Sequence, residues 1–208
     1  MNDLIKLTDY KIVSKIEKET NGELLLIRKA QSQELFLARI FQRSKIHQKN
    51  VNEEMERLFH LDYHCILRTT GYSPVDFNNK KNIVVITEYL SDFTLQKLLD
   101  EQRRGLAPKE WDDSKKLIVL YGIAYGMSCL HSKKLTHRDL KPKNIYLDKY
   151  FYPKIYYLAE TNLDVRPPTS IYTSPELLQY NKYNKQKSDV YAFAIIAYQI
   201  ITGCEPFP

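Results

Sequence analysis

Apolar residues change their period near residue 90, and that change limits the chain to a fold with a sheet at one end and helices at the other. Before it, "YKIVSKI" (10–16), "ELLLIRKA" (23–30) and "ELFLARIF" (34–41) are rich in β-branched and bulky apolar residues and are divided by the polar turns "EKETNG" and "QSQ". They predict an antiparallel meander. "CILRTTGY" (65–72) and "NIVVITEYL" (82–90) predict two more strands around the Pro- and Asn-bearing loop "SPVDFNNKK". Between the two sets, "NVNEEMERLFHL" repeats Val51, Met55, Leu58 and Phe59 at helical spacing, with Asn50 and Glu53 placed as a capping box. Glu54 shares a flank with that stripe and is expected to face inward. Beyond residue 90, helices are predicted over 94–101 and about 112–132. In the longer one, Leu117, Leu120, Tyr121, Ala124, Met127 and Leu130 are expected to line one face.

Composition narrows the class further. The chain has 208 residues, 43% of them apolar, enough to bury a substantial core. Lys and Arg exceed the acids by 31 to 25, a formal charge of +6, but the excess lies in scattered short groups. A nucleic-acid reader would gather it on one element, so no nucleic-acid partner is expected. Cys65, Cys129 and Cys204 are odd in number and form no CxxC pair. Neither a disulfide framework nor a zinc site is supported by this, and a reducing compartment, the cytoplasm, is expected. No secretory signal opens the sequence. The longest apolar run, "VYAFAIIAYQII" at 190–201, is too short for a bilayer and is expected to be a helix in a protein core. Sixteen tyrosines fit either an interface-forming surface or compositional drift.

The segment "HRDLKPKN" at 137–144 places an acid, Asp139, and an amide, Asn144, at fixed spacing behind a His-Arg pair. It resembles the catalytic loop of eukaryotic protein kinases with every position filled. "TSIYTSPE" at 169–176 resembles the end of their activation segment, and "SDVYAFAIIAYQIITGCEPF" the long helix that follows it. The resemblance covers nearly the whole chain, and Lys141 points to the serine/threonine branch. It implies an α+β, two-lobed kinase-like fold. Residues 1–89 would form a small lobe with a five-stranded antiparallel sheet and one regulatory helix. Residues 90–208 would form a helical lobe with the catalytic loop, a short activation segment and a long buried helix. That lobe would lack its last helices, and Glu176 would lack its arginine, as expected of a fragment.

By resemblance, Asp139 matches the base that takes the substrate hydroxyl's proton, Lys141 the residue beside the transferred phosphate, and Asn144 an amide ligand of magnesium. Thr87 matches the gatekeeper, and the backbone at Glu88 and Leu90 the hinge that bonds adenine. Departures cluster at the same site. The glycine-rich turn offers Glu17, Glu19 and only Gly22, and carboxylates there repel a polyanion. In "FLAR" the phosphate-gripping lysine is Arg39, expected to pair with Glu54 structurally. Leu37 and Tyr146 stand where the family has a small roof residue and an aliphatic floor residue around adenine, so the cleft is expected to be plugged. The metal-binding DFG reads Tyr157, Leu158, Ala159. Leu158 could still pack between Leu58 and His137, above Asp189. A segment of only nine residues, "ETNLDVRPP", follows, with Thr161 its one hydroxyl.

A neutral phenol at 157 gives magnesium neither charge nor strong affinity. The expectation is therefore a pseudokinase with no cofactor, acting through a protein partner. The alternative is a weak serine/threonine kinase using ATP and magnesium.

Overall fold

The computed structural model describes residues 4–19, 22–41, 59, 61–90, 93–157, 170–179 and 185–207. These divide into two compact units. One takes the described residues up to 62 together with 67–89, and the other takes 63–66, 90–157 and those from 170 onward. The predicted helix at 51–59, with Glu54, Leu58 and the capping box, lies outside the described residues except for Phe59. So do Leu158, Ala159 and the segment 160–168 with Thr161.

The first unit is a five-stranded antiparallel sheet in the order β1-β2-β3-β5-β4. Its strands are β1 (Tyr10–Glu19), β2 (Gly22–Lys29), β3 (Leu35–Phe41), β4 (Thr69–Ser73) and β5 (Ile83–Glu88). Side chains alternate across a strand, so the register sorts the sheet into two faces. One face carries Leu25, Ile27, Ala38, Val84 and Ile86, a buried cluster joined by Ile5, Leu7, Tyr10, Phe36, Ile40 and Phe77. Tyr10 meets Phe36 edge to face at 5.7 Å. The other face carries Leu24, Leu37, Arg39, Val85 and Thr87.

The turn between β4 and β5 is built on Asp76. Its Oδ1 accepts from the backbone N–H groups of Asn78 (2.8 Å) and Lys80 (3.0 Å), and its Oδ2 from Asn82 Nδ2 at 2.7 Å.

The second unit holds α1 (Leu95–Arg103), α2 (Asp113–Ser132), the hairpin β6 (Ile145–Leu147) and β7 (Pro153–Ile155), α3 (Pro175–Gln179) and α4 (Lys185–Thr202). Thr94 and Asp112 cap α1 and α2, each side chain accepting from the backbone N–H three residues on.

The buried face of α2 differs from the expected one. Leu117 and Tyr121 are exposed at 66% and 74%, and Ala124 is exposed as well. Met127 and Leu130 are buried as expected, but they are joined by Val119, Gly122, Ile123 and Gly126. Two glycines decide this, because they admit β7. A Cβ on Gly122 would stand 2.4 Å from Pro153 Cγ, and one on Gly126 2.8 Å from Ile155 Cδ1.

Burial of α4 is also one-sided. Ala192, Ile195, Ile196 and Ile200 are buried, while Val190 and Ile201 are more than half exposed. Among the described residues no helix is long and apolar enough to cross a membrane.

Candidate functional site

In the sheet unit, register brings three of the expected nucleotide residues to one face. Leu37 on β3 stands opposite Thr87 on β5, and Arg39, two residues on, stands opposite Val85 and Leu24. All three are buried, Leu37 and Thr87 at 2% exposure. The hydroxyl of Thr87 has no hydrogen-bond partner among the described residues. Glu88 is tied at both ends: its N–H donates to Arg68 O at 3.0 Å and its Oε1 accepts from Arg68 N at 2.9 Å. Leu90 follows the sheet, half-buried and outside regular structure.

Gly22 opens β2 opposite Glu19 and Phe41. A Cβ there would fall 1.8 Å from the carbonyl oxygen of Ile40. Close approach of the neighbouring strand alone therefore demands this glycine, whatever the turn before it does.

In the helical unit, the catalytic-loop residues meet. Lys141 Nζ lies 2.8 Å from Asp139 Oδ2. Asn144 Nδ2 donates to the same carboxylate oxygen at 3.0 Å and to the Asp139 carbonyl at 2.7 Å. A one-turn 3-10 helix, Pro142–Asn144, sets this spacing and leads directly into β6. The Asp139 side chain is half exposed, so its pairing with Lys141 fixes a geometry more than it stabilises the fold.

Beneath the loop, Asp189 at the start of α4 is buried and gathers three donors. The backbone N–H groups of His137 and Arg138 reach its two oxygens at 2.8 Å each, and His131 Nε2 lies 2.9 Å from Oδ2. Two successive N–H groups turned onto one carboxylate force the chain to bend, and Arg138 takes φ 66° to do so. The sequence reading found Asp189 but not His131, whose signal was its place in "CLHSKKLTHRD", six residues before His137.

His137 is buried, and its Nε2–H donates to Tyr156 O at 3.1 Å. Burial lowers its pKa, outweighing the nearby Asp189 and Asp139 carboxylates, and holds the ring neutral.

Tyr157 emerges directly after β7. It is buried, with its ring edge-on to His137 at 5.9 Å and an interplanar angle of 67°. Tyr146 on β6 is buried as well and meets Tyr156 edge to face at 6.3 Å. Three tyrosines thus crowd the strand ends that follow the catalytic loop. Tyr156 is the member that sequence reasoning passed over. Among the described residues no group of three or more His, Cys, Asp or Glu is placed to hold a metal.

The protein kinase domain family matches residues 10–208. A probable serine/threonine-protein kinase of Dictyostelium discoideum is 33% identical over 165 residues, 74% of this chain and 12% of that protein. An Aurora kinase of Patiria pectinifera is 26% identical over 214 residues, 97% of this chain and 50% of its own length. A receptor-like kinase of Arabidopsis thaliana is 31% identical over 163 residues, 72% of this chain and 25% of that protein. The chain spans half or less of the length of these relatives.

Proposed function

Because this chain belongs to the protein kinase family, we propose that it keeps the family's fold without its metal-dependent chemistry, as a pseudokinase acting through a protein partner or as an allosteric module. One observation carries this reading. The position that matches the metal carboxylate is Tyr157, a buried phenol packed on His137. Magnesium takes hard, charged oxygens in near-octahedral geometry. The donors at 144 and 157 are an amide and a neutral phenol, and the carboxylate beside Asn144, that of Asp139, is held by Lys141 and Asn144. This set does not fit magnesium.

The other positions that match phosphate contacts also depart from the family's pattern. Arg39 keeps the charge of the lysine it replaces but not its compact shape, and Glu17 and Glu19, which match glycines of the family, lie on β1 rather than in the expected turn. Leu37 and Tyr146, both buried, add bulk at the positions matching the roof and floor of the adenine site. Scattered basic charge favours a protein partner over nucleic acid, and free thiols suit the cytoplasm.

A second reading rests on its own observation. Asp139, Lys141 and Asn144 keep a mutual geometry in which a hydroxyl could be positioned and deprotonated. It describes a weak ATP-dependent serine/threonine kinase. The two readings separate in one assay, transfer of labelled phosphate from ATP and magnesium to generic protein substrates. The pseudokinase reading expects background for the parent and for Asp139→Asn alike. A parental signal that vanishes in Asp139→Asn establishes the kinase.

A further inference from the structure

Gly122 and Gly126 leave a channel along α2, and Cys65 lies in it. Its Sγ is 3.7 Å from where a Cβ on Gly122 would be, and its Cβ is 3.3 Å from the corresponding place on Gly126. The Cys65 backbone is fixed as well. Its carbonyl accepts from Ile155 N at 2.8 Å, and Ile66 bridges to Ile155. Cys129 follows Gly126 by three residues on the same helix. Helical side chains lean toward the N-terminus, which lays the Cys129 side chain back over the turn where Cys65 packs.

The two thiols sense each other. Burial first, and the Cys129 thiol second, raise the Cys65 pKa. Tyr125, 47% exposed, stands one helical turn before Cys129 on α2. Both cysteines are free and half-buried.

We propose that Cys65 and Cys129 form a dithiol that a low-molecular-weight disulfide, of the glutathione disulfide class, closes into an intramolecular bond pinning residues 63–66 to α2. Cys129 reacts first, since Cys65 is packed against Gly122 and Gly126. Its thiolate attacks one sulfur of glutathione disulfide, forming a mixed disulfide and expelling one glutathione thiolate. The Cys65 sulfur loses its proton and attacks the Cys129 sulfur, forming the Cys65–Cys129 bond and expelling the second glutathione. The protein dithiol is oxidised and glutathione disulfide is reduced to two glutathiones, which carry away the two thiol protons. A disulfide brings its Cβ atoms to about 3.5–4.5 Å. The Cys65 Cβ packs against Gly126, three residues before Cys129 on the same helix, and closure would bring it to that distance from the Cys129 Cβ.

The test is to expose the folded 208-residue chain to glutathione disulfide and map peptides without reduction. The expected product joins the Cys65 and Cys129 peptides with loss of two hydrogens, forms equally in Cys204→Ser, and is reversed by dithiothreitol. Cys65→Ser should stop at a glutathione adduct on Cys129. Because closure cross-links the chain over a long loop, the oxidised protein should melt several degrees higher than the reduced one. A stable glutathione adduct on Cys129 in the parent, a bond to Cys204, or two unmodified thiols would overturn the proposal.

Discussion

At the scale of single residues, His137 shows how the loop holds its shape by burying a neutral ring. With Nε2–H donating to Tyr156 O, Nδ1 is left as an acceptor that finds no donor among the described residues. The folded pKa lies below the ordinary histidine value of about 6.5 because burial penalises the charged form. The unfolded chain therefore takes up a proton that the folded chain refuses, and this contribution to stability is held above about pH 6.5 and lost as pH falls below it. Denaturant melts of the parent and His137→Gln across that range should show the stability gap narrowing as pH falls, while a constant gap would mean that the ring titrates normally. Thr87 offers a simpler test. Its buried hydroxyl has no partner among the described residues, so Thr87→Val removes an uncompensated polar group at nearly constant shape. The melting temperature should hold or rise, by no more than about 1 kcal/mol in stability. A clear loss would show that the hydroxyl is bonded.

At the scale of elements, the contact of α2 with β7 sets intrinsic propensity against packing. Alanine favours a helix over glycine by about 1 kcal/mol, but a methyl at position 122 would overlap the Pro153 ring, with Cγ at 2.4 Å and Cδ at 2.8 Å. A rigid ring cannot swing aside as a long side chain would. Packing should win, so Gly122→Ala lowers the melting temperature, and Pro153→Ala introduced beside it recovers part of the loss in a double-mutant cycle. If Gly122→Ala stabilises the chain, the close approach is not real. The same contact explains an error in reading the sequence. The five strands were legible, because β-branched runs and polar turns state them directly. The face of α2 was legible only in part, at Met127 and Leu130, because Leu117 and Tyr121 carry the apolar signal outward while two glycines, which carry none, mark the contact. The Asp76 turn has its own acid signature. Burial pushes that carboxyl's pKa up, yet bonds from Asn82, Asn78 and Lys80 outweigh it and lower the pKa overall. Its contribution is therefore present above the unfolded carboxyl value of about 3.9 and is lost as pH falls through the lower folded value. Asp76→Ala should cost about 2 kcal/mol at neutral pH and flatten the acid limb of the melt.

At the scale of the whole molecule, the chain has a kinase's sheet unit and helical unit, and within the catalytic-loop motif Lys141 and Asn144 both reach the Asp139 carboxylate. That much of the site was legible because short-range spacing fixes it: an acid, a lysine and an amide within six residues meet around one carboxylate. The crowding of Tyr146, Tyr156 and Tyr157 was only partly legible, since Tyr156 matches no motif and its role depends on a hairpin pairing β6 with β7. Arg39 and Glu54 remain a proposed pair, as Glu54 lies outside the described residues. The central claim, that metal-dependent nucleotide chemistry is lost, is tested most directly by thermal melts with millimolar ATP, with and without magnesium. A ligand that binds only the folded form at a hundredfold excess over its Kd stabilises it by about 2.7 kcal/mol, which such a melt resolves. Leu37→Ala with Tyr146→Leu should create a shift with ATP alone, and adding Tyr157→Asp should make that shift depend on magnesium. For the unaltered chain the account predicts no shift under either condition. A magnesium-dependent rise in melting temperature with ATP in the unaltered chain would contradict it.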